Sequence, residues 1–248
     1  MNIVVCISSV PDTTSKINFT ENSSKFDSSG IQFIINPYDE FGLTKAMMLK
    51  EKTAGNVMVI TVGDASVEPV MRKALAIGAD SAIRINAKPT DSYFTANAIS
   101  TYLKENPADL IIAGRESIDY NGGAVSGMIA EMMNLPFVNA CNGLEIDGNT
   151  AKLSREIDGG KENLSANLPL VIGGQKGLVE ESDLRIPNMR GIMQARSKPL
   201  TVVEPFSDES LTSSENFEKP AEKSACKLVE AGNEAELVSL LLSEAKVI

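Results

Sequence analysis

The 248 residues contain no histidine, which removes most of the side-chain chemistry a chain of this size could carry. A Ser-His-Asp or Cys-His nucleophile system is excluded, and so is histidine-ligated zinc. The three cysteines, Cys6, Cys141 and Cys226, have no metal-ligand spacing and form no even disulfide set. Cys6 sits in an apolar run and reads as a small core residue. What remains is main-chain chemistry, and one stretch offers it. "GRESIDYNGGAVSGM", Gly114 to Met128, follows the apolar run Leu110 to Ala113. Its second half has Val125, Met128, Ile129, Met132 and Met133 at helical spacing. Gly122 and Gly123 therefore fall at a helix N-terminus, where backbone N–H groups lack partners and the dipole is positive. Glycine lets a phosphate approach such amides with no Cβ in the way. A tight strand-to-helix turn that needs glycine for φ alone is the competing use. The spacing is neither Gly-x-Gly-x-x-Gly nor a Walker loop, and no cluster of metal-binding carboxylates accompanies it, which weighs against a pyrophosphatase.

The elements that must position this turn alternate. Asn2–Ser8, Asn56–Gly63, Ser81–Asn86 and Ala108–Gly114 are short and rich in β-branched residues, and helical patterns cover 37–52, 66–78 and 91–105. That cadence predicts an α/β fold: a doubly wound, mostly parallel, Rossmann-like sheet covered on both faces. Asn36 is the expected cap of the first helix, with Pro37 at its first position, and Thr90 or Asp91 that of the third. After "LPFVNA" the turn signals Asp147-Gly148-Asn149 and Gly159-Gly160 predict an antiparallel meander extending the sheet edge. From Leu200 the composition becomes Ser/Glu-rich and aperiodic, predicting an extended arm. The closing "NEAELVSLLLSEAKVI" places Leu237, Leu240, Leu241 and Ala245 on one helical face, giving the arm something to dock. The expected division is a nucleotide-binding domain over 1–199 and an arm over 200–248.

The bulk properties narrow the partners. An apolar share of 43% suits a buried core, and the net charge of −10 argues against a nucleic-acid backbone. There is no tryptophan, and the other aromatics are not interleaved with basic residues. No apolar run approaches the ~20 residues that span a bilayer, and "MNIVVCISSV" lacks the basic start of a signal peptide. No membrane insertion and a cytoplasmic location are expected.

Five stretches in order, "NPYDEFGLTKAMMLKEK", "MRKALAIGADSAIRI", "GRESIDYNGGAVSGMIAEMMNLPFV", "SREIDGG" and "GIMQARSKP", resemble the β subunit of electron transfer flavoproteins. The resemblance covers essentially the whole chain. It implies a heterodimer with an α subunit, FAD carried mainly by that subunit, and an arm that wraps it. It also implies an electron carrier with no catalytic side chain of its own, moving electrons from flavin dehydrogenases such as acyl-CoA dehydrogenase to an acceptor reductase. In common members the β subunit buries a structural AMP; in electron-bifurcating members a second FAD takes that cleft. A nucleotide-sensing binding module is the alternative of another class.

Carried over by motif, the resemblance makes Cys6, Asn36 and Val62 line the adenosine pocket. Ser117, Tyr120, Asn121, Gly122, Gly123, Ala124 and Val125 complete it and hold the phosphate. The family often has Gln where Ala124 stands, which leaves backbone amides as the main donors here. Thr13 and Tyr38 match positions near the α-bound FAD. Arg155, Glu156 and Asp158 of "SREIDGG" read as hairpin structure. Residues 173–193 match a loop that recognises partner dehydrogenases through an exposed leucine. Leu178 is the expected anchor and Leu184 its rival.

Overall fold

The computed structural model describes residues 1–20, 23–207, 209–223 and 225–248; positions 208 and 224, inside the expected arm, lie outside that description. The chain opens with β1 (Asn2–Cys6), β2 (Ser9–Pro11), β3 (Phe19–Thr20), β4 (Lys25–Phe26) and β5 (Phe33–Ile35), then α1 (Pro37–Thr53) and β6 (Asn56–Val62). A 3-10 turn at Ala65–Val67 leads into α2 (Glu68–Ile77), followed by β7 (Ser81–Ile85), α3 (Ser92–Glu105), β8 (Leu110–Gly114) and α4 (Val125–Met133). Next come β9 (Phe137–Asp147), β10 (Thr150–Ile157), β11 (Gly160–Asn167), β12 (Leu170–Gly174), α5 (Met189–Ala195), β13 (Leu200–Val203) and α6 (Glu234–Leu240). A π turn at Leu241–Ala245 continues α6.

Nine strands form one sheet in the order β11-β10-β9-β12-β8-β1-β6-β7-β13. It is parallel except where β10 pairs with β9 and β11, so the predicted meander does extend the edge. β-Branched runs of five to seven residues suit strands buried on both faces, and their side chains alternate between two cores. Ile3, Val5, Val57, Val59, Leu110 and Ile112 face one core beneath α1 and α2. Val4, Cys6, Ile60, Val62, Ile111 and Ala113 face the other, beneath α3 and α4. β1, β6 and β7 progress toward one edge; the chain then crosses to β8 on the other side of β1. The carboxyl ends of β1 and β8 thus flank the topological switch point, where open α/β sheets form a ligand crevice.

Two expectations are corrected. The Asn36 side chain makes no capping hydrogen bond to α1. Pro37 supplies no N–H to cap, and Asp39 and Glu40 in the first turn already answer the dipole. Asp91 does cap α3, accepting from Phe94 N at 2.7 Å. The second correction concerns Leu178. It was expected exposed, but it is 3% accessible and belongs to the core, its side chain lying against Gly174. Val179 beside it is buried in the same core, and two adjacent apolar side chains gain more beneath the loop than on it. Leu184 is half-buried against the same core.

α1 crosses β8 at Gly42, where a Cβ would stand 2.7 Å from Ile112 Cγ2. Gly42→Val is expected to force the helix off the sheet and cost about 1–3 kcal/mol, seen as a lowered urea midpoint.

Candidate functional site

At the switch point the loops after β1 and β8 are joined through one carboxyl group. Asp39, on the first turn of α1, is 2% accessible. Its Oδ2 accepts from Ser8 N at 2.7 Å and its Oδ1 from Gly114 N at 2.9 Å. Gly114 must be glycine because a Cβ would run into Asp39, Tyr38 and Asn36. Asn36, 1% accessible, uses its amide on the next loop. Its Nδ2 donates to Glu116 O at 2.8 Å and its Oδ1 accepts from Ile118 N at 3.2 Å. The residue expected to cap a helix instead pins the turn that follows β8. Burial drives the Asp39 carboxyl up to about 7 against the hydrogen bonds from Ser8, Asn36 and Gly114, which favour its charged form. Cys6, buried beside it, is pushed up to about 12 by burial and then by Asp39, and is an inert thiol at neutral pH.

The glycine turn divides its work. Asn121, not either glycine, takes the left-handed conformation, at φ 54°. Gly122 pairs with Ser117 in a single β-bridge and makes room for the Tyr120 ring, which lies where a Cβ would be. At Gly123 a Cβ would stand 3.3 Å from Arg115 O and 3.9 Å from Glu116 Cβ, a tight fit against backbone. Ala124 and Val125 then begin α4. The turn is thus not built of glycine for φ; both glycines are there for close approach.

The start of α4 is the distinctive feature. α3 and α5 carry side-chain caps, from Asp91 and Asn188. α1, α2 and α6 have acidic residues in the first turn. Among the described α-helices, α4 alone has neither a side-chain cap nor a first-turn carboxylate. Its leading amides and positive dipole end are left for an anion from outside.

Cys6 and Val62 end neighbouring strands β1 and β6 on the α3/α4 face, and Asn36 and Ser117–Val125 close the same edge. Of the residues expected to line the adenosine pocket, Cys6 and Val62 are buried in the core on that face, Asn36 is hydrogen-bonded to the turn after β8, and Tyr120, Asn121, Gly123 and Ala124 are exposed on that turn. Tyr38 is half-buried, and burial and then the neighbouring Glu116 charge push its hydroxyl up, whereas Thr13 is exposed on the loop after β2. Arg155 pairs across the hairpin with Glu162 at 2.6 Å. Asp39 was not singled out in the sequence as a site residue, because an acid in a first helical turn is also what the dipole alone prefers. On the 173–193 segment the exposed apolar side chains are Ile186, Met189, Ile192 and Met193, with Ile186 85% and Met189 75% accessible.

These features define a doubly wound α/β protein with an anion-ready helix at its switch point. A family model described as "Electron transfer flavoprotein domain" matches residues 24–207. The chain is 36% identical to "Electron transfer flavoprotein subunit beta" of Bacillus subtilis over the full length of both chains. It is 33% identical to the protein of that name from Syntrophomonas wolfei, over 98% of this chain and 95% of the relative. The relative of that name from Thermoanaerobacterium thermosaccharolyticum is 32% identical over 80% of this chain and 76% of its own length. The chain belongs to the electron transfer flavoprotein family, as a β subunit: an electron-carrier subunit. No helix among the described residues is long and apolar enough to cross a membrane.

The Asp39 shift has a measurable sign. The unfolded carboxyl releases its proton near 3.8 and the folded one near 7. Unfolding therefore releases a proton between those values, so this group's contribution to stability is full below pH 4 and falls as pH rises through 7. Over that window it amounts to on the order of 4 kcal/mol. Asp39→Asn is expected to lower stability at pH 4, having lost one amide acceptor, and to flatten the decline toward pH 7. Urea midpoints of both proteins across pH 4–8 read this out.

Proposed function

We propose that this chain pairs with an electron transfer flavoprotein α subunit, and that the heterodimer shuttles electrons through FAD held mainly on that subunit. Donors are acyl-CoA dehydrogenase-type flavoenzymes, and an acceptor reductase receives the electrons. The β subunit holds AMP in the crevice between β1 and β8. The observation that carries the nucleotide reading is the unclaimed N-terminus of α4, which has neither a side-chain cap nor a first-turn carboxylate.

In this reading the amides from Gly123 to Val125 hold the phosphate, with Ala124 offering backbone only. Cys6 and Val62 give the adenosine an apolar floor, while Asn36 and Ser117 keep the turn in place. AMP supplies no redox chemistry; it fills a polar crevice and fixes the loops at the α-subunit boundary. FAD supplies the electron storage, and protein groups around it set position and electrostatics. Tyr38 and Thr13 lie on the β1–α1 side of the same edge, facing the partner's flavin.

Nucleotide content of the co-expressed heterodimer tests this. Heat release and chromatography are expected to give one FAD and one AMP per heterodimer. Two FAD would replace the reading with the electron-bifurcating type, and a colourless chain that copurifies no α subunit would leave the nucleotide-sensing module. Ala124→Asp, which sets a carboxylate against the phosphate, is expected to abolish AMP retention while FAD stays.

Partner docking is assigned to α5 in place of the buried Leu178. Ile186, Met189 and Met193 stand out from the surface, and Arg190 and Arg196 beside them are exposed. A small apolar contact of this kind suits transient electron transfer. Met189→Glu should slow electron delivery from a dehydrogenase with Tm and cofactor content unchanged. Leu178→Ala should instead cost about 2–5 kcal/mol of stability as a core truncation.

A further inference from the structure

The described residues of 204–232 form no helix or strand, and nearly all of their side chains are exposed. A chain of this composition buries too little to hold itself down. It is nonetheless attached to the domain at three places. At its root, Glu204 Oε1 accepts from Asn86 Nδ2 at 3.0 Å. Further on, Asp91 Oδ2 accepts from Leu211 N at 2.7 Å, Thr212 N at 2.8 Å and Thr212 Oγ1 at 3.2 Å. Last, Phe217 stacks on Phe19 with centroids 5.3 Å apart and donates its N–H to Ser23 O at 2.8 Å. Lys219 Nζ adds a bond to Asn18 Oδ1 at 2.7 Å.

The attachments follow the sheet order. Asn86 and Asp91 come after the carboxyl end of β7, and the β3–β4 hairpin comes after that of β1, with β6 between them. The arm leaves β13 and so spans the carboxyl ends of β7, β6 and β1. Val62 and Cys6 end their strands along that span. A cleft of about 420 Å³ lies beneath the root, with Glu204 and Pro205 on one side and Asn86, Lys88, Thr90 and Phe94 on the other. Asp91 is the junction: its Oδ1 caps α3 while its Oδ2 holds the arm.

We propose that the described residues of 204–219 are a strap that retains the crevice nucleotide, which leaves only when the Asp91 and Phe19–Phe217 attachments release. The inference rests on the AMP reading above. The two jobs of Asp91 can be separated. Asparagine caps a helix about as well as aspartate, but its second group is an NH₂ that cannot accept from Leu211 and Thr212. Asp91→Asn therefore keeps the α3 cap and loses the strap, and Phe217→Ala loosens the far end without touching α3.

The test uses the full-length chain in complex with its α subunit and labelled AMP. Label loss into excess unlabelled AMP is timed for wild type and both variants. Cutting by a glutamyl endopeptidase after Glu209 and Glu215 is followed in parallel. Both variants are expected to lose AMP at least fivefold faster and to be cut faster, with Tm within a degree or two of wild type. Faster cutting with an unchanged AMP release rate overturns the strap's retaining role. Unchanged cutting overturns the attachments themselves. A wild-type complex that holds no AMP overturns the crevice reading instead, and the strap with it, and its nucleotide-free extract tells that failure apart.

Discussion

A single buried carboxyl group joins the two loops on which the rest of the site depends. The switch point of a doubly wound sheet is a gap, because the connections after the two central strands turn opposite ways. Here the gap has a fixed width: Asp39 takes the amide of Ser8 with one oxygen and that of Gly114 with the other. Asn36, three residues earlier, takes the backbone of Glu116 and Ile118. Four main-chain groups from two loops are thereby held by one helical turn. Burial raises the Asp39 carboxyl toward neutrality, so the clamp tolerates the absence of a counter-ion. An unpaired carboxylate at that depth would cost several kcal/mol.

The clamp explains why the glycine turn can do without side chains. With Asn36 fixing Ile118 and the Ser117–Gly122 bridge closing the loop, the amides entering α4 are held in place before any ligand arrives. Preorganised donors cost little reorganisation on binding, which is what makes backbone amides effective toward anions. A Gln side chain at position 124 would add donors but would also have to be ordered. Ala124 dispenses with both.

Strand and helix placement was legible because buried parallel strands are short β-branched runs, and α3 and α4 have clear apolar faces. The meander was legible from Asp147-Gly148-Asn149 and Gly159-Gly160, where the chain must reverse. Three things were not. Asn36 before Pro37 has the composition of a cap, and nothing local shows that its amide reaches residues eighty positions away. Leu178 in a polar loop looks the same whether it projects outward or folds under; only the position of Gly174 decides. Asp39 reads as a dipole partner, since its second role depends on two loops meeting across the sheet. The Asn36 and Asp39 misses are long-range contacts made by residues whose local role was already plausible.

The surfaces left over fall into two kinds, and their chemistry separates them. The arm's closing helix exposes Leu237, Val238 and Leu242 at roughly half accessibility, and Lys227–Glu244 is an ion pair beside it. A tethered apolar face reaches its partner at high effective concentration and favours a lasting contact. α5 instead presents Met189 and Met193 beside exposed arginines on a chain of net charge −10. That local reversal of sign steers an acidic surface toward one small spot, which raises encounter rate more than residence time. In the proposed reading an electron carrier needs both behaviours at once: a permanent mate that shares the cofactor, and transient visitors that leave after each transfer. Assigning the first to the closing helix and the second to α5, which packs against α2, would keep turnover of the visitors from disturbing the assembly.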